Sequence, residues 1–387
     1  GGTFDYRIPA GLILSPGEFV TVPFGSRSAI GVVWGKAAGH FSEGKLKDIT
    51  SKFDCPPLPK VSRQFVEWVA RYTVSTPGAV LKMVMSIPDA LNPPKPITAY
   101  TVNTIMEDFN ITPAREQVLA VLKQGPPRPA RELTREAGVS SSVVKGLVKS
   151  GKLIAVAIPT KIFGPRYEPD WNKLGPELSQ SQIKAARILE DTTEAANFSV
   201  TLLDGVPGSG KTEVYFQAVA KALEKGGQVL VLLPEISLSA QWLARFRIRF
   251  GGDPVEWHSE LTPAKRRQTW RAVAEGQTRV VVGARSALFL PFPNLALIIA
   301  DEEHDTSFKQ EEGVIYNARD MAVVRAQIGD IPIVLASATP ALETVLNAEQ
   351  GRYQTLHLPN RHGNAEPPTI ETIDMRAERM GSQTWIS

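Results

Sequence analysis

The chain has 387 residues, too many for one ordinary core, so two or three domains are expected. Its hydrophobic content of 43%, with no apolar run of membrane-spanning length and no secretory leader pattern, reads as a cytoplasmic globular protein with no membrane role. Cys55 is the only cysteine, which excludes an internal disulfide or a thiolate zinc cluster within these residues.

The net charge of +3 is unevenly divided. Residues 1–160 hold 19 Lys and Arg against 12 Asp and Glu, while the rest hold 24 against 28. A basic front half predicts contact with a polyanion there.

Residues 1–95 read as a small β-rich domain. Apolar, β-branched runs at 18–23 and 29–35 flank a turn-like segment at 24–28. A helix is predicted over 61–72, with Phe65, Trp68 and Val69 on one face, and another apolar segment at 79–85 follows. Pro93, Pro94 and Pro96 cannot continue a helix or central strand, so 96–109 reads as a linker.

Residues 110–165 suggest a winged helix. Helices are predicted at 114–123, 130–137 and 140–149, with Gly138 in the turn and Ser140 as N-cap. A wing strand follows at 152–157. Such a module either meets DNA through its last helix or serves as a spacer, and both readings stay open.

From residue 176 to 362, strands alternate with helices. Strands are predicted at 199–203, 228–233, 255–258, 279–283, 295–301 and 331–336. That order implies a parallel sheet covered on both faces, with ligands at the carboxyl ends of its strands.

The first of these strands runs into Gly205-Val206-Pro207-Gly208-Ser209-Gly210-Lys211-Thr212, which fits G-x-x-x-x-G-K-[ST] at every fixed position. The glycines let backbone N–H groups converge on phosphate oxygens at a helix start. Lys211 supplies a mobile charge for the β/γ-phosphates, and the Thr212 hydroxyl can ligate Mg²⁺. ATP is the expected ligand.

The apolar strand 295–300 delivers Asp301, Glu302, Glu303 and His304 to the same end of the sheet. Asp301 is expected to hold Mg²⁺ and Glu302 to orient the attacking water, with Lys211 completing the catalytic set. Ser337-Ala338-Thr339 closes the next strand, where the Ser337 and Thr339 hydroxyls could bond the acidic cluster.

These motifs resemble the superfamily-two nucleic-acid helicases, with Asp301–His304 as the D-E-x-H box. The closer resemblance is to the PriA family of primosomal replication-restart helicases. It is carried by Thr3-Phe4-Asp5-Tyr6, Val22-Pro23-Phe24-Gly25, Gly283-Ala284-Arg285-Ser286-Ala287-Leu288-Phe289 and residues 301–320. The fold implied is α/β, a P-loop RecA-like parallel-sheet helicase lobe preceded by a small β-rich DNA-binding domain and a winged helix.

The resemblance also implies roles. Gln182 would recognise adenine, whose donor and acceptor edge suits an amide. Residues 234–238 and 283–289, with Arg285, would touch the DNA backbone. Phe308 and Tyr316 would stack on bases and couple DNA contact to hydrolysis, with Lys309 and Arg319 as phosphate partners. Phe4, Asp5 and Lys47 would hold the 3′ end of a nascent strand.

The implied activity is that of an ATP-dependent 3′→5′ DNA helicase that recognises stalled or repaired forks and restarts replication. Its implied partners are forked and single-stranded DNA, single-strand-binding protein, PriB, DnaT and the machinery that loads the replicative helicase. Residues 363–387 resemble the opening of a second helicase lobe. The rest of that lobe would supply an arginine finger, so this chain is expected to be a fragment that hydrolyses weakly, and the family's zinc-binding cysteines would also lie beyond it. Two alternatives remain at this point: a general superfamily-two repair or recombination translocase, or a fork-binding scaffold that does not hydrolyse nucleotide.

Overall fold

A computed structural model describes residues 2–37, 46–104, 112–123, 125–158, 167–234 and 240–361. The expected opening of a second lobe at 363–387 lies outside the described residues. So do positions 235–238 of the backbone-contacting motif and 105–109 of the expected linker.

At the amino terminus, β1 (Phe19–Phe24) turns through Gly25 (φ 62°) into β2 (Arg27–Val32) and pairs on its other side with β3 (Ser51–Lys52), all antiparallel. Val20 and Val22 alternate inward with Ile49 to form a small core beneath Tyr6, Leu12 and Leu14. Two helices follow. In α1 (Lys60–Tyr72), Phe65, Val66 and Val69 repeat at helical spacing, and α2 (Pro77–Val84) starts at an N-cap formed by Thr76 with Pro77 behind it. Their apolar faces share a core with Phe19 of β1 and with the ATP-binding lobe.

Next, β4 (Ile97–Val102), α3 (Pro113–Lys123), β5 (Arg128–Pro129), α4 (Ala130–Glu136), α5 (Ser141–Lys149) and β6 (Leu153–Ile158) form a three-helix unit with a sheet ordered β5-β4-β6. Val118, Leu122, Leu133, Val144 and Leu147 fill its core. Strand β4 occupies a stretch read from sequence as linker. The prolines precede it rather than interrupt it, and the run Ile97-Thr98-Ala99-Tyr100-Thr101-Val102 supplies the six residues that pair with β6.

The lobe comprises α6 (Gln180–Ala195), β7 (Ser199–Gly205), α7 (Lys211–Glu224), β8 (Gln228–Leu232), α8 (Ala240–Phe250), β9 (Val255–Trp257), α9 (Pro263–Ala274), β10 (Val280–Gly283) and β11 (Leu295–Asp301). A short hairpin, β12 (Lys309–Gln310) and β13 (Tyr316–Asn317), leads into α10 (Ala318–Gly329), β14 (Pro332–Ser337), α11 (Leu342–Glu349) and β15 (Gln354–Leu358).

Seven strands form one parallel sheet in the order β15-β7-β14-β11-β8-β10-β9. Residues on α6, α7 and α8 cover one face, and residues on α9, α10, α1 and α2 cover the other. The edge strand β15 was not expected from sequence. Its Gln354-Thr355-Leu356-His357-Leu358 buries only Leu356 and Leu358, yet it walls the P-loop, with the Val206 N–H reaching the Leu358 carbonyl at 3.3 Å.

Candidate nucleotide and DNA sites

Strand β7 ends at Gly205 and α7 begins at Lys211, so the P-loop joins a sheet rim to a helix start. Gly208 and Gly210 sit at φ +80° and +81°, where a side chain would be strained. A Cβ at Gly210 would also come within 2.3 Å of Gln182 Nε2. Lys211 is nearly buried and donates from Nζ to the Gly205 carbonyl at 2.9 Å.

Gln182 lies against this loop and is 3% exposed. It is the third residue of α6 in a capping box, accepting from the Ser179 N–H at 2.7 Å through Oε1. Its Nε2 donates to the Ser209 carbonyl at 2.8 Å. Both ends of the amide are therefore held by protein. The amide keeps a second N–H and a second oxygen lone pair that an adenine edge could take.

Strand β11 carries Asp301 to the same rim. The Tyr215 hydroxyl donates to Asp301 Oδ2 at 2.8 Å, and the Glu302 N–H donates to Oδ1 at 3.1 Å. Burial pushes the Asp301 carboxyl up to about 6; the Tyr215 bond opposes this, the Glu302 charge adds to it, and the Glu302 N–H and the Lys211 charge oppose it. Glu302 itself adopts φ 52°, a left-handed conformation rare for a residue with a side chain, at the turn where its carboxylate leaves the strand. His304 Nδ1 and Ser337 Oγ are 2.7 Å apart, and Ser337 Oγ also accepts from the Thr339 N–H at 3.0 Å. The acidic box and the Ser337–Thr339 segment are thus one network.

Among the described residues no cluster of three His, Cys, Asp or Glu could hold a metal. Magnesium bridging phosphates needs only one or two protein oxygens. Here the donor set fits: Tyr215 stands three residues after Thr212 on α7 and donates to Asp301 Oδ2 at 2.8 Å, so the helix that carries the Thr212 hydroxyl is tied to the carboxylate.

The residues expected to touch DNA near this box are placed differently. Phe308 is 1% exposed and Tyr316 3%, and Tyr316 packs edge-on against Phe289 at 5.5 Å between centroids. Neither ring presents a stacking face, because the shared core closes over both. Arg319 is also buried. It pairs with Glu303 at 3.3 Å and with Asp320 at 2.8 Å, and is no free phosphate partner. Glu303 in turn accepts from the Ala341 N–H and the Thr344 hydroxyl, so it fastens the starts of α10 and α11. Arg285 donates to the carbonyls of Ser307 and Lys309, and Lys309 is exposed beside Glu311.

At the amino terminus, Phe4 is 57% exposed and meets Phe24 edge-to-face at 5.2 Å. Lys47 reaches the Gly25 carbonyl at 3.4 Å, and the backbone of Arg7 bridges to Lys47 and Ile49. Phe4 and Lys47 therefore converge on the β1–β2 turn, with Asp5 half-buried beside them.

The family model for a 3'DNA-binding domain (3'BD) of PriA matches residues 1–86, and that for a DEAD/DEAH box helicase matches residues 181–348. Replication restart protein PriA of Rickettsia felis is 35% identical over 384 residues, 99% of this chain and 48% of its own. That of Haemophilus influenzae is 34% identical over 97% of this chain and 53% of its own. The chain belongs to the PriA family.

The PriA of Bacillus subtilis is 40% identical over 67% of this chain and 32% of its own. The chain spans about half the length of the curated PriA relatives it matches, or less. The solved structure of RecG bound to a three-way DNA junction aligns with 60% of this chain and 27% of its own, at 20% identity and a TM-score of 0.37, too loose a match to argue from.

Three residues at these sites escaped the sequence reading. Tyr215 stands four positions after Lys211 and so on its face of α7, a spacing that could have flagged it. Trp242 has no sequence signal, since only the packing of α8 on α7 brings its indole to Tyr215. Phe24 lay within a quoted family stretch, but only the turn geometry pairs it with Phe4.

Proposed function

We propose that this chain forms the fork-recognising and ATP-binding part of a PriA-type replication-restart DNA helicase, acting with 3′→5′ polarity in the cytoplasm. The observation that carries this reading is the link from α7, which carries Lys211 and Thr212, through the Tyr215 hydroxyl to Asp301 at one rim of the parallel sheet. There the P-loop amides and Lys211 bind and orient the phosphates of ATP. Thr212 and Asp301 would hold Mg²⁺, which when bound neutralises charge on the transferring phosphate. Glu302, turned outward by its left-handed backbone, orients water. Gln182 ties the loop to α6 and lies where an adenine amide contact would form.

The fork role rests on Phe4, Asp5 and Lys47. Phe4 and Phe24 offer apolar faces to a terminal base, Asp5 an acceptor for a 3′-hydroxyl, and Lys47 a charge for the adjoining phosphate. Single-strand-binding protein, PriB, DnaT and the helicase-loading machinery are proposed partners by family membership alone. Zinc is expected by family resemblance alone, and the single Cys55 cannot hold it.

The test is ATP hydrolysis stimulated by forks with and without a leading-strand 3′-hydroxyl. Stronger stimulation by the hydroxyl-bearing fork supports the restart reading. Equal stimulation favours a general translocase, and stimulation of neither, with nucleotide still bound, favours a scaffold.

A further inference from the structure

We propose that Tyr215 is a positioning residue that fixes the Asp301 carboxylate for the magnesium–nucleotide complex, with Trp242 setting the direction of its hydroxyl. This rests on the nucleotide-site reading above and names a residue outside both the P-loop and the acidic box.

Lys211 and Tyr215 are one turn apart on α7, so the helix that presents the phosphate-binding amine also presents the phenol. The Tyr215 ring is fully buried among Phe216, Val219 and Trp242. An indole N–H can only donate, and Trp242 Nε1 stands 2.7 Å from the Tyr215 oxygen. The phenol oxygen must accept there. Its single proton is then directed to Asp301 Oδ2, 2.8 Å away. With the Glu302 N–H on Oδ1 at 3.1 Å, each carboxylate oxygen has a donor, and the carboxylate is held in one orientation.

Packing alone would not demand this arrangement. A phenylalanine would fill the same apolar pocket, whereas the hydroxyl here lies between a neutral donor and a buried acid. Partners of this kind orient the groups that bind a metal, and removing one typically weakens metal affinity or activity about 10–100-fold. The Arg245–Glu213 ion pair bridges the same two helices, so the α7–α8 interface that carries Trp242 is braced independently of the phenol.

The test titrates a fluorescent ATP analogue into the chain across a range of Mg²⁺ concentrations, for the parent, Tyr215→Phe and Trp242→Phe, with thermal unfolding recorded alongside. For Tyr215→Phe, the Mg²⁺ concentration giving half-maximal binding should rise about tenfold, while affinity in chelator stays at the parent value. Trp242→Phe should shift the same midpoint in the same direction by less. Parent-like midpoints in both variants would overturn the positioning role and leave Tyr215 as packing. Should Tyr215→Phe not fold, an unchanged midpoint in Trp242→Phe overturns it alone. If the parent binds nucleotide equally with and without Mg²⁺, the underlying site reading fails first, and this inference falls with it.

Discussion

Arg319 Nη1 lies 3.3 Å from Glu303 Oε2, and the pair is buried at the junction of the acidic box with α10 and α11. Glu303 therefore serves a different purpose from its neighbours Asp301 and Glu302: it anchors helix starts. Removing one partner of a buried pair leaves an uncompensated charge, which typically costs about 3–5 kcal/mol. Arg319→Ala should lower stability by that order in denaturant unfolding. Glu303→Gln, whose one oxygen can accept from the Ala341 N–H or the Thr344 hydroxyl but not both, should also lower stability. If Arg319→Ala instead unfolds like the parent and only weakens DNA binding, the residue is a phosphate contact after all.

Phe308 is a second case in which burial decides the prediction. Truncating a fully buried phenylalanine costs about 3–5 kcal/mol through lost burial and the cavity left behind. Phe308→Ala should lower the thermal midpoint markedly, and Phe308→Leu should recover most of it together with DNA-stimulated hydrolysis. A stable Phe308→Ala chain that has lost only its DNA response would show the ring working at the surface.

Asp301 gives a pH-dependent prediction. Its folded-state value near 6 lies above the ordinary 3.8, so the folded chain binds the proton more tightly than the unfolded one. The charged carboxylate consequently opposes folding above pH about 6, by on the order of 3 kcal/mol, and this penalty shrinks as pH falls from there towards the ordinary value. Asp301→Asn removes the charge and keeps an acceptor for Tyr215. Without nucleotide it should unfold at a higher temperature than the parent at pH 8, with the difference narrowing towards pH 4, while hydrolysis is lost. A variant less stable than the parent at pH 8 would contradict this balance.

Phe4 is exposed, so its substitution separates function from stability. Phe4→Ala should leave the unfolding free energy within about 0.5 kcal/mol of parent, as surface changes generally do. It should weaken binding to DNA bearing a free 3′ end several-fold, since stacking is worth about 1–3 kcal/mol per base. Equal affinity in fluorescence anisotropy would remove Phe4 from the DNA contact.

What could be read from sequence followed physical locality. The P-loop and the strand carrying Asp301 are local patterns, in which an apolar run ends in chemistry-bearing residues, and the six expected lobe strands are found within a residue or two of their expected bounds. Interactions between distant segments were not legible. Whether Phe308, Tyr316 and Arg319 face DNA or the interior depends on α1 and α10 packing together and on Glu303 being enclosed by α11. No local spacing encodes that. Gln182 was expected at the site, yet its bond to Ser209 depends on α6 and the P-loop meeting across 27 residues. Strand β4 was hidden by neighbouring prolines, and β15 by its polar alternate residues.

The central claim is that Lys211 and Asp301 together grip the phosphates of magnesium-bound ATP. Equilibrium binding of a fluorescent ATP analogue with Mg²⁺ tests it most directly, comparing parent, Lys211→Ala and Asp301→Asn. The account predicts saturable binding by the parent, at least tenfold weaker binding by Lys211→Ala, and loss of the Mg²⁺ enhancement in Asp301→Asn, in line with about 1.5–3 kcal/mol for a hydrogen bond to a charged group. Parent-like affinity and Mg²⁺ response in both folded variants would contradict it.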